Sequence, residues 1–171
     1  YRIFSAVSGN YQVTYTSAGD PPAGPAGPVA AYSFNENGGI TLNDSSGNGT
    51  NGLVRNAPSW TTGQNATLAL QFNGSSGYVW LATPSKLNLS GDTTFMAWAR
   101  FDSVTNGGYL FGQCNTGGTL GQLGVTIGRG TSDNAVNVGW GTVALNSSAN
   151  DLTTGTWYHV AHVRENTGGT W

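Results

Sequence analysis

Apolar and polar residues alternate along this chain in short bursts, and each burst ends at a cluster of Gly, Asn, Ser or Asp. Tyr11, Val13 and Tyr15 fall on one side of such a burst, and Gln12, Thr14 and Thr16 on the other. A period of two marks a half-buried strand, because successive side chains point to opposite faces. Thr93–Asp102 is the clearest case. Phe95, Ala97, Ala99 and Phe101 share one face there, and Met96, Trp98 and Arg100 share the other. The same pattern predicts strands near Ala30–Asn35, Gly52–Arg55, Ala66–Phe72, Tyr78–Trp80, Tyr109–Gln113, Leu123–Gly128, Ala135–Trp140 and Trp157–Arg164. No segment sustains an apolar period of 3.6 residues, and Gly interrupts nearly every window. Many short strands punctuated by turn signals predict an all-β, antiparallel sandwich or jelly roll.

The pattern also divides the chain. Residues 1–19 form a short β segment in which Ser8-Gly9-Asn10 is placed to turn Arg2–Val7 back onto Tyr11–Thr16. Residues 20–28 hold four of the six prolines. Proline donates no hydrogen bond to a ladder and favours extended backbone, so this segment reads as a semi-stiff linker. Residues 29–171 form the main β domain.

Composition narrows the function classes. Charged residues make up 8% of the chain, against roughly 25% in ordinary domains. Its surface is therefore covered by Ser, Thr, Asn and Gln, a character common in extracellular β-proteins. The six cations, Arg2, Arg55, Lys86, Arg100, Arg129 and Arg164, are scattered, and the net charge is −2. A duplex nucleic acid calls for a basic face, so no nucleic-acid partner is expected. No run approaches the ~18 apolar residues of a membrane span, so no membrane insertion is expected either. Cys114 is single, which rules out a disulfide within the chain. It reads as a small hydrophobe.

The order of motifs adds a resemblance. Val29-Ala-Ala-Tyr-Ser-Phe-Asn-Glu36 is followed by Asp44-Ser-Ser-Gly-Asn-Gly49, Trp60, and Leu70-Gln-Phe-Asn-Gly-Ser-Ser-Gly-Tyr-Val79. Then come Leu87-Asn-Leu-Ser-Gly-Asp-Thr-Thr-Phe-Met-Ala-Trp-Ala-Arg100 and Thr154-Gly-Thr-Trp-Tyr-His-Val-Ala-His-Val-Arg164. Together these resemble the laminin G-like jelly rolls of the concanavalin A-like lectin/glucanase architecture. The resemblance implies a two-sheet antiparallel jelly roll in which the Phe95/Trp98 pair anchors the core and Trp157 lies between the layers. It also implies further strands after Trp157–Arg164, which this sequence does not continue into. Either a preceding domain ends at residues 1–16, or that hairpin completes the sheet of a neighbouring copy and propagates a fibre. The family implies a non-catalytic binding or structural module at the cell surface or outside the cell, or a carbohydrate-binding module of a secreted enzyme. Its partner would be a glycan, a cell-surface or matrix protein, or copies of itself.

Two sites follow as expectations. The Asp44–Gly49 turn offers a carboxylate, an amide oxygen and turn carbonyls, with the Thr50 and Asn51 carbonyls nearby. Calcium takes six to eight oxygens, and the loop supplies about half. In related modules such a turn often holds a structural Ca²⁺, a role the resemblance carries to Asp44 and Asn48. The other reading has Asp44 and Asn48 making side-chain-to-backbone turn bonds. For carbohydrate, Trp60, Tyr109 and Trp140 lie beside loops, with Asn106, Asn115 and Asn134 near them in sequence. Aromatic planes of this kind stack on sugars, although they also pack sandwiches. Glycoside hydrolysis needs two close carboxylates. Glu occurs only at Glu36 and Glu165, so the inventory points away from an enzyme. His159 and His162, three apart on a strand, face opposite ways and cannot share one ion from that strand.

Overall fold

Short alternating segments between Gly- and Asn-rich turns form strands throughout the computed structural model. It describes residues 27–82, 87, 92–104, 108–114, 120–127, 136–140, 143–146 and 152–164. Residues 1–26, where the hairpin and most of the linker are expected, lie outside these, as do Asn106, Asn115 and Asn134. The described residues fall into two compact units, one within 27–87 and one within 92–164. Both are β, and among the described residues there is no α-helix.

The first unit holds β1 (Thr41–Leu42), β2 (Gly52–Arg55), β3 (Ser59–Thr62), β4 (Leu68–Gln71) and β5 (Tyr78–Leu81). β1, β2 and β5 make an antiparallel sheet in that order, and β3 and β4 pair as a hairpin. Leu42, Val54 and Leu70 are buried. Gly52 sits in the middle strand, opposite Leu42 on one side and Leu81 on the other. A Cβ there would come within 2.5 Å of Val79 Cγ1, so the position has room only for glycine.

The second unit holds β6 (Thr93–Arg100), β7 (Gly108–Cys114), β8 (Leu120–Ile127), β9 (Val136–Trp140), β10 (Val143–Asn146) and β11 (Trp157–Arg164). β7 to β10 form a meander, and β6 pairs antiparallel with β11. Val104 and Leu152 are buried among Phe101, Leu110, Val136 and Tyr158. Phe95 stacks on Phe111 at 4.9 Å and Phe101 faces Tyr158 at 6.5 Å. The inward face of the β6–β11 ribbon thus packs on the meander, as in a β-sandwich.

The structure departs from the sequence pattern in three places. Ala30–Asn35 makes one isolated bridge, Tyr32 to Asp44, rather than a strand. The Ala31 N–H is taken by the Asp44 side chain, and Phe34 turns to a φ of 56°. Ser59–Thr62 forms β3 although Pro58 precedes it, because Trp60 pairs directly with Leu70. Val143–Asn146 returns beside β9 after the two-residue Gly141-Thr142 connection.

The positions of Trp98 and Trp157 correct two implications of the resemblance. Trp157, opposite Arg100, is half-buried on the same face as Trp98 and not between layers. Phe95 faces inward, but Trp98 is 54% exposed and does not anchor the core. On a strand, a spacing of three sends two side chains to opposite faces. His159 and His162 divide in the same way, His159 exposed and His162 half-buried.

Candidate functional site

Asp44 organises one candidate region. Gly47 and Gly49 take φ values of 87° and 70°, in the left-handed region that favours glycine. The chain thereby curls back so that residues 46 and 50 meet Asp44. Oδ1 of Asp44 accepts the N–H groups of Ala31 at 3.0 Å and Ser46 at 2.9 Å. Oδ2 accepts Ser46 Oγ–H at 2.8 Å, Thr50 N–H at 2.9 Å and Thr50 Oγ1–H at 2.7 Å. Partial burial pushes this carboxyl's pKa up. The donors from Ala31, Ser46 and Thr50 outweigh it and hold the pKa well below the usual carboxylate range.

Asn48 ties the same turn to the preceding segment. Its Nδ2 donates to the carbonyls of Pro28 and Val29, each at 3.1 Å, and to Ser46 Oγ at 3.2 Å. The Asn51 side-chain oxygen accepts the Asp44 N–H at 2.8 Å, and the Tyr32 hydroxyl donates to the Thr50 carbonyl. Burial raises the pKa of that hydroxyl, the nearby Thr50 side chain lowers it, and the Asp44 charge raises it further; the net shift is upward. A shallow cavity of about 260 Å³ beside the turn is lined by Ser33, Asn35, Glu36, Asn43, Asp44 and Ser45. Glu36 Oε1 accepts the Asn43 N–H at 2.8 Å.

These contacts test the calcium expectation, and the residues do not fit the ion. A carboxylate has about four lone-pair sites, and five donors already point at Asp44. The Pro28 and Val29 carbonyls also accept hydrogen bonds from Asn48, and the Thr50 carbonyl accepts one from Tyr32. Asn48 turns its nitrogen, not its oxygen, toward the oxygens around it.

The expected sugar-binding residues are dispersed. Trp60 is half-buried on β3 of the first unit, whereas Tyr109 is 59% exposed on β7 of the second. Trp140 lies on β9, but its side chain is outside the described ones.

A different aromatic group is assembled on the outer face of β6 and β11. Trp98 stands opposite His159, Met96 opposite Ala161, Arg100 opposite Trp157, and Thr94 opposite Val163. Directly opposed residues share a face, so the eight side chains line one surface. Met96 is 60% exposed and Val163 55%. Trp98 and His159 lie 5.2 Å apart, tilted at 55°. Arg100 reaches over the Trp157 ring at 5.7 Å, and its Nε approaches Asp102 at 4.0 Å. A smaller cluster on the first unit has Arg55 over Trp80 at 5.7 Å, with Tyr78 exposed beside it. The alternation already grouped Met96, Trp98 and Arg100 on one face in sequence, but only the structure shows that face to be the outer one, and only the pairing with β11 brings Trp157 and His159 onto it.

A sequence model of the concanavalin A-like lectin/glucanases superfamily, of laminin G type, matches residues 73–171. The chain belongs to this superfamily. No curated protein and no solved structure matches it significantly. The match covers all of the second unit's strands and the outer face of this laminin G-type module. The Asp44 turn lies outside the matched residues.

Proposed function

We propose that this laminin G-type chain is a non-catalytic binding module that works outside the cell and holds a neutral glycan on the outer face of β6 and β11. The observation that carries the reading is the exposure of Trp98 beside Trp157, His159 and Arg100. A contiguous apolar patch left in water costs solubility and usually marks a contact surface. A sugar ring has a flat C–H face and a rim of hydroxyls. The Trp98 indole suits the first, and His159, Arg100 and Thr94 suit the second. Arg100 lies beside Asp102, which favours an uncharged ligand over a polyanion.

One feature argues against catalysis. Glycosidases pair a carboxylic acid of raised pKa with a second carboxylate. Glu36 and Asp44 line one cavity, but Asp44 is held ionised by its five donors and is no proton donor at neutral pH. The superfamily and the chain's low charge are what support an extracellular setting.

A glycan microarray probed with the wild type, Trp98→Ala and Trp80→Ala tests the proposal. The wild type and Trp80→Ala bind the same neutral glycans, and Trp98→Ala loses roughly 30-fold in affinity, as for a hot-spot aromatic. Absence of any bound glycan, or undiminished binding by Trp98→Ala, refutes it. Concentration-dependent self-association abolished by Trp98→Ala, without glycan binding, would instead assign the face to contacts between copies of the chain.

A further inference from the structure

We infer that the 44–50 turn is a cation-independent clasp, closed by the protein's own N–H and O–H groups at the place where the family resemblance leads one to expect Ca²⁺. A calcium ion would need Asp44 to turn free oxygen lone pairs toward it, at 2.3–2.6 Å. Both Asp44 oxygens instead face donors contributed by three other residues, Ala31, Ser46 and Thr50. Their hydrogens supply the positive charge that the ion would otherwise supply. Thr50, which provides two of the five, is fully buried. Rotating its hydroxyl away to admit an ion would leave a buried polar group unpaired.

Asn48 closes the other side. Its Nδ2 lies 3.1 Å from the Pro28 and Val29 carbonyls and 3.2 Å from Ser46 Oγ, so three oxygens of the kind a cation takes surround an amide nitrogen. The clasp therefore fastens residues 28–31 to residues 44–50 through Asp44 on one side and Asn48 on the other. The Ser45 N–H adds a backbone bond to the Ala31 carbonyl at 2.8 Å. An ion entering this turn would have to break the contacts that fasten the two segments.

Thermal unfolding of the full chain tests this, with wild type, Asp44→Asn and Asn48→Ala compared in about 10 mM Ca²⁺ and in EDTA. Extracellular calcium modules bind at roughly 10⁻⁴–10⁻³ M, so this concentration saturates such a site. Both variants are expected to melt below the wild type, by the same margin with Ca²⁺ as with EDTA. A calcium-dependent rise of equal size in all three proteins places an ion elsewhere and leaves the clasp standing. A wild-type rise of more than roughly 3 °C that either variant abolishes overturns the inference. Should Asp44→Asn fail to fold, calorimetric titration of wild type and Asn48→Ala with Ca²⁺ decides. Heat of binding in the wild type that Asn48→Ala removes is then the overturning result, and equal traces are the expected one.

Discussion

Replacing Asp44 by Ala gives the sharpest test of how the first unit is held together. The substitution removes the acceptor for five donors, but the five are not equal. Thr50 is 0% exposed, and both its N–H and its hydroxyl point at Oδ2. Without Asp44 these two donors are left in a site that water does not reach, at about 1–3 kcal/mol each. The donors of Ala31 and Ser46 are only partly buried, so water replaces much of what they lose, about 0.5–1 kcal/mol each. The expected total is at least about 4 kcal/mol, a large share of the ~5–15 kcal/mol typical of a whole domain. Thr50→Val is the informative comparison. It removes the hydroxyl but leaves Asp44 with four donors and orphans no buried group, so about 1 kcal/mol is expected. Urea unfolding at neutral pH measures both, provided the slope with denaturant is unchanged. A loss below about 1 kcal/mol for Asp44→Ala, or equal losses for the two variants, would refute the view that Thr50 burial makes Asp44 indispensable.

The alternation within Thr93–Arg100 was sufficient to assign both faces of β6, because a strand's period of two admits no intermediate orientation. The alternation put Phe95 and Trp98 on opposite faces without saying which face was outer, and the structure turns the Trp98 face outward, against the core role that the family resemblance implied. What the sequence pattern could not supply was the partner strand. Trp157 and His159 join Trp98 only through the β6–β11 register, a pairing between segments some sixty residues apart. The segment Ala30–Asn35 misled for a different reason. Its alternation is strand-like, yet a side chain thirteen positions on, Asp44, takes the hydrogen bond that a neighbouring strand would have taken. Sequence spacing placed Asp44 and Asn48 in one turn correctly. It left open whether their oxygens face a cation or the turn's own backbone, since both readings ask for the same residues at the same spacing.

Two further outcomes follow from these faces and contacts. Phe95→Ala should cost about 3 kcal/mol in chemical denaturation, because it strips the Phe111 stack from the inward face, whereas Trp98→Ala should cost about 1 kcal/mol or less; the reverse order would mean that the faces of β6 are misassigned. The second outcome concerns acid. Asp44 has a folded-state pKa far below its unfolded value of 3.8, so its contribution is complete above about pH 4–5 and is lost as the pH falls below that. Wild-type melting temperature should therefore drop toward pH 3 more steeply than that of Asp44→Asn, which has no proton to gain at this position. Parallel profiles for the two proteins would show that the Ala31, Ser46 and Thr50 donors do not favour the ionised carboxylate, and the argument for a self-sufficient clasp would fail with them.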